Sequence, residues 1–548
     1  MKRDSTIDKK VYLDAVLSQT PRLLGLINGN PASKSYGCCD RQYWHSNCVA
    51  FPNARHQEAV LTLALLYLNF DTPYRSSPLL QRLINAGVSF WCSIQERNGS
   101  FNEWYPHEGS YVATAFSAYA ISETLLLMGA DRIADYDRAV AALSRAAGWI
   151  KDRTEQRVCN QQTGALLATY NTYLLTGDDR LMAAVNGYED ALARAQKREE
   201  WFLEYSGADI GYLSLSIDYL AKYFKKTGSR KTEEIVAHAI NFIVNFIHAD
   251  GSSGGVYGSR HTEYLIPDGF EIFAPISEQA RFAAWNIRAG LERGRGISLH
   301  QLDDRYLTYI SYTFLQAALD GMDEIDETPI ARADYRYYPE AGLFVRRFGD
   351  LELIANVHMT GALVCIARGK RLADSGVVID GARQLFSGYE TGATTVSVDE
   401  NGFSVEGPFR ETRENILSPI KQIILYLFQL TAGRVSFANH LVKERLRRRM
   451  ILSHRRAPAT LKRTVAIDGG GILITDEIAG TGRFKRMITG TQISFIYVPS
   501  SRWFQRENLT DEPPVLVQPV DVPPGDGNIL IERHFPSGKI TITRRPAH

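Results

Sequence analysis

TAFSAYAISETLLLMGADR at residues 114–132, TGALLATYNTYLLTGDDR at 163–180 and IDYLAKYFKKTGSR at 217–230 decide the fold. In each, apolar residues recur at helical spacing and the run stops on a glycine: Gly129, Gly177 and Gly228. A glycine just past a helix supplies the left-handed residue that caps it, so the three phrases mark three helix ends. Intervals of 48 and 51 residues leave room for one helix, a turn and a return helix, which is a helical-hairpin repeat. Such hairpins either stack openly or close into a ring. The unlike, aromatic-rich loops between them favour a closed (α/α) toroid with a central cleft.

Helical spacing extends outward from these phrases over residues 10–325 and then gives way to a period of two. Short alternating runs follow: GLFVRRF, LELIANV, ALVCIAR, TTVSV, GILITDEI, ISFIYV, NILIERHF and KITITRR, with Asn401-Gly402 as a hairpin turn. The chain therefore reads as a multidomain α+β protein. A toroid is expected over residues 1–328 and an antiparallel β-sandwich or stacked-sheet domain over 329–548. One segment of the second half, ILSPIKQIILYLFQLTAG, has helical spacing and is expected to cover a sheet.

Composition narrows the function classes. The 548 residues are 45% hydrophobic and 22% charged, which suits a large folded core. With 62 Lys and Arg against 61 Asp and Glu, no global field selects nucleic acid or a membrane surface. The first 21 residues hold no apolar leader run and the run from Ile423 to Leu430 is too short to span a bilayer, so a cytoplasmic protein is expected, or a periplasmic one if the natural start is longer. Six cysteines without paired CxxC spacing suggest reduced thiols. The basic stretch from Lys443 to Arg463, nine Lys or Arg against one Glu, reads as a solvated face that also suits an anionic polymer.

The unusual residues lie in loops of the helical half. DRQYWH (Tyr43, Trp44, His45), NGSFNEWYPHE (Trp104, His107) and DGSSGGVYGSRHTEY (Arg260, His261, Tyr264) set aromatic rings beside hydrogen-bonding groups, as a carbohydrate site requires: a ring takes the apolar face of a sugar while polar groups take its hydroxyls. Any one such ring is more readily explained by packing between hairpins. Asn160, Gln161 and Gln162 open an apolar helix, where an Asn commonly caps. Tyr212, Ser216, Tyr219 and Tyr223 form one helical stripe that starts after a loop holding Tyr205. In the strand half His358 falls on an expected strand, with Asn356 on its face, and Asp374 follows across a hairpin.

Together, the two-part architecture and these segments resemble the heparinase II/III-like polysaccharide lyases. In that family an Asn opens a toroid helix, a tyrosine follows about fifty residues later behind a glycine-rich loop, and the β-domain begins with a His-x-His-x-Asp strand, a Lys-Gly turn and an Asp-x-Gly. Here Asn160 and Tyr212 are 52 residues apart, and Asn356-Val-His358-Met-Thr360, Gly369-Lys370 and Asp374-Ser-Gly376 follow in order. Gln161, Asn356 and Thr360 depart from the pattern. The resemblance implies a carbon–oxygen lyase acting by β-elimination on a uronate-containing acidic polysaccharide or oligosaccharide. Asn160, Tyr212 and His358 would be catalytic, and the loop residues with Gln161 and Tyr205 would bind substrate.

The chemistry follows from the reaction. The C5 proton of a uronate is acidic only when its carboxylate is neutralised, a task open to Asn160, Gln161 or Arg260. Tyr212 would remove that proton or hand one to the leaving oxygen, and His358 would serve as base. The resemblance also implies a structural metal in the β-domain; His358 and Asp374 supply part of a ligand set only, and no cofactor is expected. If the site is a lyase site, His358 should approach Tyr212 within roughly 10 Å, since acid and base must reach one sugar ring. Two other readings stand beside this one: a glycoside hydrolase using carboxylates among Glu103, Glu108, Asp209 and Glu263, and a non-catalytic glycan-binding or assembly factor of envelope polysaccharide synthesis.

Overall fold

The computed structural model describes residues 6–155, 157–294, 298–380, 384–386, 394–411, 418–434, 442, 456–480, 484–490, 513 and 515–546. The strand run ISFIYV and most of the basic stretch, residues 443–455, lie outside the described residues.

The helical half contains α1 (Lys10–Gly25), α2 (Arg41–Trp44), α3 (Ala59–Leu68), α4 (Pro78–Ser93), α5 (Tyr111–Met128), α6 (Tyr136–Lys151), α7 (Cys159–Thr176), α8 (Asp179–Ala195), α9 (Ile210–Thr227), α10 (Arg230–Ile243), α11 (Asp268–Phe273), α12 (Glu278–Glu292) and α13 (Asp304–Asp320). The hairpin repeat closes as expected. Helix α3 packs on α5, α5 on α7, α7 on α9, α9 on α11, α11 on α13, and α13 returns to α3, giving an inner ring of six helices. The return helices α4, α6, α8, α10 and α12, with α1, form the outer layer.

Burial follows that assignment. Helix α3 is buried for its first eight residues, whereas outer α6 buries a stripe of Ala139, Ala142, Leu143, Ala146, Ala147 and Ile150. Helix α5 is long and apolar enough to cross a membrane by length and composition alone, but 83% of that span is buried inside the ring. Gly177 and Gly228 end α7 and α9 in left-handed conformation, and Gly129 ends α5 at φ 73°. Because each inner helix is followed by an outer return, all inner helices run the same way and their N-termini share one rim.

The ring's last helix ends at Asp320; β1 (Thr6–Asp8) pairs with β2 (Glu324–Asp326), tying the two ends of the ring together. A five-stranded antiparallel meander follows: β3 (Tyr335–Tyr338), β4 (Leu343–Phe348), β5 (Leu351–Asn356), β6 (Ala362–Ala367) and β7 (Lys370–Asp374). Its alternation sorts two faces. Leu343, Val345, Ile354 and Val364 join the toroid core, while Phe344, Leu353, Ala355, Leu363 and Cys365 face a second sheet. The docking is also polar: Arg347 donates to the Asn245 carbonyl (2.6 Å), Asn356 to the Tyr257 carbonyl (2.9 Å), and the Ala249 N–H to Glu352 (2.7 Å).

The second sheet is built from β8 (Val377–Asp380), β9 (Gln384–Phe386), β10 (Thr395–Asp399), β11 (Gly402–Glu411), β12 (Arg456–Asp468), β13 (Gly471–Ala479), β14 (Arg486–Thr489), β15 (Val515–Val517), β16 (Asn528–Phe535) and β17 (Lys539–Arg545). Its order is β15-β14-β8-β9-β11-β12-β13-β16-β17, with β10 paired to β11 through a turn at Glu400 and Asn401, so Gly402 of the expected turn opens β11. Helix α14 (Pro419–Leu430) departs from expectation. Ile420, Ile423, Ile424, Tyr426 and Leu427 are each more than half exposed, so it covers no sheet among the described residues.

Candidate active site

The rim of N-termini encloses a cavity of about 650 Å³ whose lining comes from the lead-in to, or first turns of, all six inner helices. Of the residues expected at the site, Asn160, Gln161, Tyr205, Tyr212, Tyr264 and Trp104 line it.

Asn160 lies in the first turn of α7 but does not cap it. Its backbone N–H and its Nδ2 both donate to the carboxylate of Glu204, at 2.9 and 2.7 Å. An antiparallel bridge between Val158 and Glu204 brings the two together. Glu204 is fully buried, and burial holds its carboxyl well above the usual range although both Asn160 donors pull it down. The asparagine amide is thus fixed by Glu204 in a residue that lines the cavity.

Tyr212 opens α9, whose cap is Asp209. Asp209 accepts from the N–H groups of Tyr212 (3.2 Å) and Arg260 (2.8 Å) and from the Thr262 hydroxyl, so it locks the 259–262 loop against the helix start. Arg260 is thereby stacked over the Tyr205 ring (4.4 Å), and its charge acts on the Tyr212 hydroxyl. Burial holds that hydroxyl well above 10, with Tyr306 and Tyr205 adding to the rise and Arg260 opposing it.

Sequence reasoning missed the opposite wall. Arg305, at the start of α13, donates to Glu103 and to the Tyr309 hydroxyl (2.9 Å) and stacks on Trp104 (4.2 Å). Arg55 is pinned between the rings of Tyr309 (3.7 Å) and Phe116 (4.8 Å) and donates to Glu58 (2.7 Å), whose carboxyl burial pushes up to about 7. The available signal was the 305/309/312 stripe of one helix face, which reads equally well as core.

Other expected residues lie elsewhere. Trp44 donates to the Leu26 carbonyl (2.8 Å) with His45 edge-on to it, and neither they nor Tyr43 lines the cavity. His107 pairs with Glu96 (3.2 Å), and His261 is buried in the Arg260 loop. His358 is not on a strand: β5 ends at Asn356, whose Oδ1 accepts the N–H groups of His358 and Met359 and turns the chain. The imidazole lies over Gly342, is lowered in pKa by burial against the opposing charge of Glu199, and does not line the cavity. Its expected role as base is therefore not carried forward.

The carboxylates available to a hydrolase are largely engaged. Asp209 is a cap, Glu263 faces Arg371 (3.7 Å), and Glu108 accepts the N–H groups of Glu103 and Trp104. A metal does not fit at Asp374. That carboxylate sits in a buried cluster with Arg463 (3.2 Å), Arg533 (2.7 Å) and Asp476, and although burial alone would raise its pKa the two guanidiniums hold it below the usual range. All six cysteines are free.

Comparison with known proteins gives likeness at the level of the fold. A chondroitin AC lyase of Streptomyces coelicolor is similar over 87% of this chain and 71% of its own, at 13% identity and a TM-score of 0.49. Heparinase III is similar over 88% and 81%, at 10% identity and 0.41, and an unsaturated glucuronyl hydrolase of Streptococcus agalactiae over 57% and 91%, at 12% and 0.39. No family model and no curated protein matches. The chemistry is therefore argued from the cavity itself.

Proposed function

We propose that the protein is a carbon–oxygen lyase that performs β-elimination on a uronate-containing glycan at the toroid rim. The observation that carries this reading is the meeting, in one cavity, of an amide fixed by a buried carboxylate (Asn160 on Glu204) and a phenol under the charge of a guanidinium (Tyr212 with Arg260). An amide donating to the uronate carboxylate favours the enediolate that forms when the C5 proton leaves. Gln161, beside it on the rim, supplies a second amide.

Tyr212 suits both proton transfers. Arg260 favours its anionic form, which takes the C5 proton; as the C4–O4 bond breaks, the same hydroxyl returns that proton to O4. The electron pair of the C5–H bond becomes the C4=C5 double bond, so no further reactant is needed.

The test is a panel of uronate oligosaccharides followed by the far-ultraviolet absorbance of the unsaturated product. Turnover lost in Tyr212→Phe and in Asn160→Ala supports the proposal. Binding without any turnover across the panel would overturn it in favour of a glycan-binding factor.

A further inference from the structure

The amides and the phenol assigned to the rim stand at the mouth of the cavity. Asn160 and Tyr212 stand in the first turns of α7 and α9, and Tyr219, seven residues along α9 from Tyr212, lies about 10 Å deeper. Between mouth and floor the lining turns apolar: Leu215 on α9, Ile310 on α13 and Phe116 on α5. The floor hydroxyls of Tyr219 and Tyr312 satisfy each other at 3.0 Å.

The cations offer little to a polyanion. Arg55 is paired with Glu58 and sandwiched by rings, and Arg305 is held by Glu103; these are the only two cations among the described residues that line the cavity. A sugar is hydroxylated around its whole edge and would leave hydroxyls unpaired against such walls, at a cost. The size, about 650 Å³, is that of a site enclosing one drug-sized molecule, not a groove for a long chain.

We infer that the cavity takes a short glycan bearing an apolar substituent, with the sugar at the rim and the substituent filling the space between Leu215, Ile310 and Phe116 down to the Tyr219–Tyr312 floor. The sugar end rests on the reading of the rim as a uronate site; the apolar end rests on the lining alone. Each methylene buried there strengthens binding about fourfold.

The experiment is calorimetric titration of the full chain with methyl glucuronide, octyl glucuronide, naphthyl glucuronide and an O-octanoyl methyl glucuronide. At least one apolar probe is expected to bind ten or more times tighter than methyl glucuronide; the octyl and naphthyl arms separate a chain from a ring, and the acyl arm separates an ester from an aglycone. Leu215→Trp and Ile310→Trp, which fill the inner space, should each erase that gain in protein that keeps the wild-type circular dichroism. If either fails to fold, competition on the wild type serves instead: a uronate disaccharide should displace the apolar probe. Equal affinity of all four probes, a gain untouched by the filling variants, or a probe that the disaccharide does not displace would overturn the inference. Apolar gain without turnover would sink only the lyase reading, and turnover of uronate oligosaccharides without apolar gain would sink only this one.

Discussion

Replacing Glu204 by glutamine separates the two donors of Asn160. In the wild type both carboxylate oxygens accept, one from the Asn160 N–H at 2.9 Å and one from Nδ2 at 2.7 Å, inside a fully buried pocket. Glutamine keeps one oxygen and turns the other into a donor, so one Asn160 N–H must face an N–H₂ group. A hydrogen bond to a charged acceptor contributes about 1.5–3 kcal/mol, and 1.4 kcal/mol is tenfold, so kcat/KM should fall about 10- to 100-fold as the amide loses its fixed orientation. Stability should move less. A donor loses its partner, but a carboxyl whose charged form is penalised by burial is replaced by a neutral group, and the two offset to within about 4 °C in Tm. Initial rates of unsaturated-product formation in Glu204→Gln, Asn160→Ala and the double variant decide the matter. If Glu204 acts through Asn160, the double variant is no slower than Asn160→Ala alone. Single effects that multiply, or a glutamine variant at full rate, would refute the reasoning.

Other consequences follow from the same contacts. Asp476→Asn leaves two buried guanidiniums, Arg463 and Arg533, facing the single carboxylate of Asp374, and should cost about 3–5 kcal/mol by denaturant titration; a loss below 1 kcal/mol would mean the cluster is hydrated. Glu58, raised to about 7 from about 4.5 in the unfolded chain, contributes stability that is full below pH 4.5 and lost as pH rises through 7. Against Glu58→Gln, the wild type should therefore lose up to about 3 kcal/mol over that window in paired melts. Gly164→Ala on α7 would bring its Cβ to 2.3 Å from the Phe116 ring, and should destabilise by about 1–3 kcal/mol as measured by denaturant midpoint. If Tyr212 is the base, kcat/KM rises about tenfold per pH unit from neutrality to pH 9, because burial keeps its hydroxyl above 10; an optimum near pH 6.5 would point to a histidine.

The fold was legible because its signals are local. Glycines at 129, 177 and 228 close helices through backbone conformation alone, and the change of period near residue 330 marks the passage from ring to sheets. Asn160 and Tyr212 were legible as a spacing between two helix starts. What was not legible depends on contacts between distant segments. Nothing in the run ANVHM says that Asn356 will use its side chain to turn the strand and carry His358 off it. Nothing in the sequence around Arg463 says that it and Arg533 will meet Asp374 from another sheet. Glu204 reads as an ordinary loop acid until the Val158 bridge sets it behind Asn160.

The ring's geometry explains why its chemistry gathers at one end. An in-and-out alternation makes the six inner helices parallel, so the caps Ser110, Asp209 and Asp303 of α5, α9 and α13 share a rim with the start of α7. First-turn N–H groups not met by a cap are donors, and together they favour an anionic group at that rim, where a uronate carboxylate would sit. One to three turns further in, each inner helix must pack against both neighbours, and that demand selects the tyrosine, isoleucine and phenylalanine side chains which close the cavity below. Asn160 and Tyr212, the groups proposed to carry the elimination, both stand within the first turn of an inner helix, where these donors and the solvent are nearest.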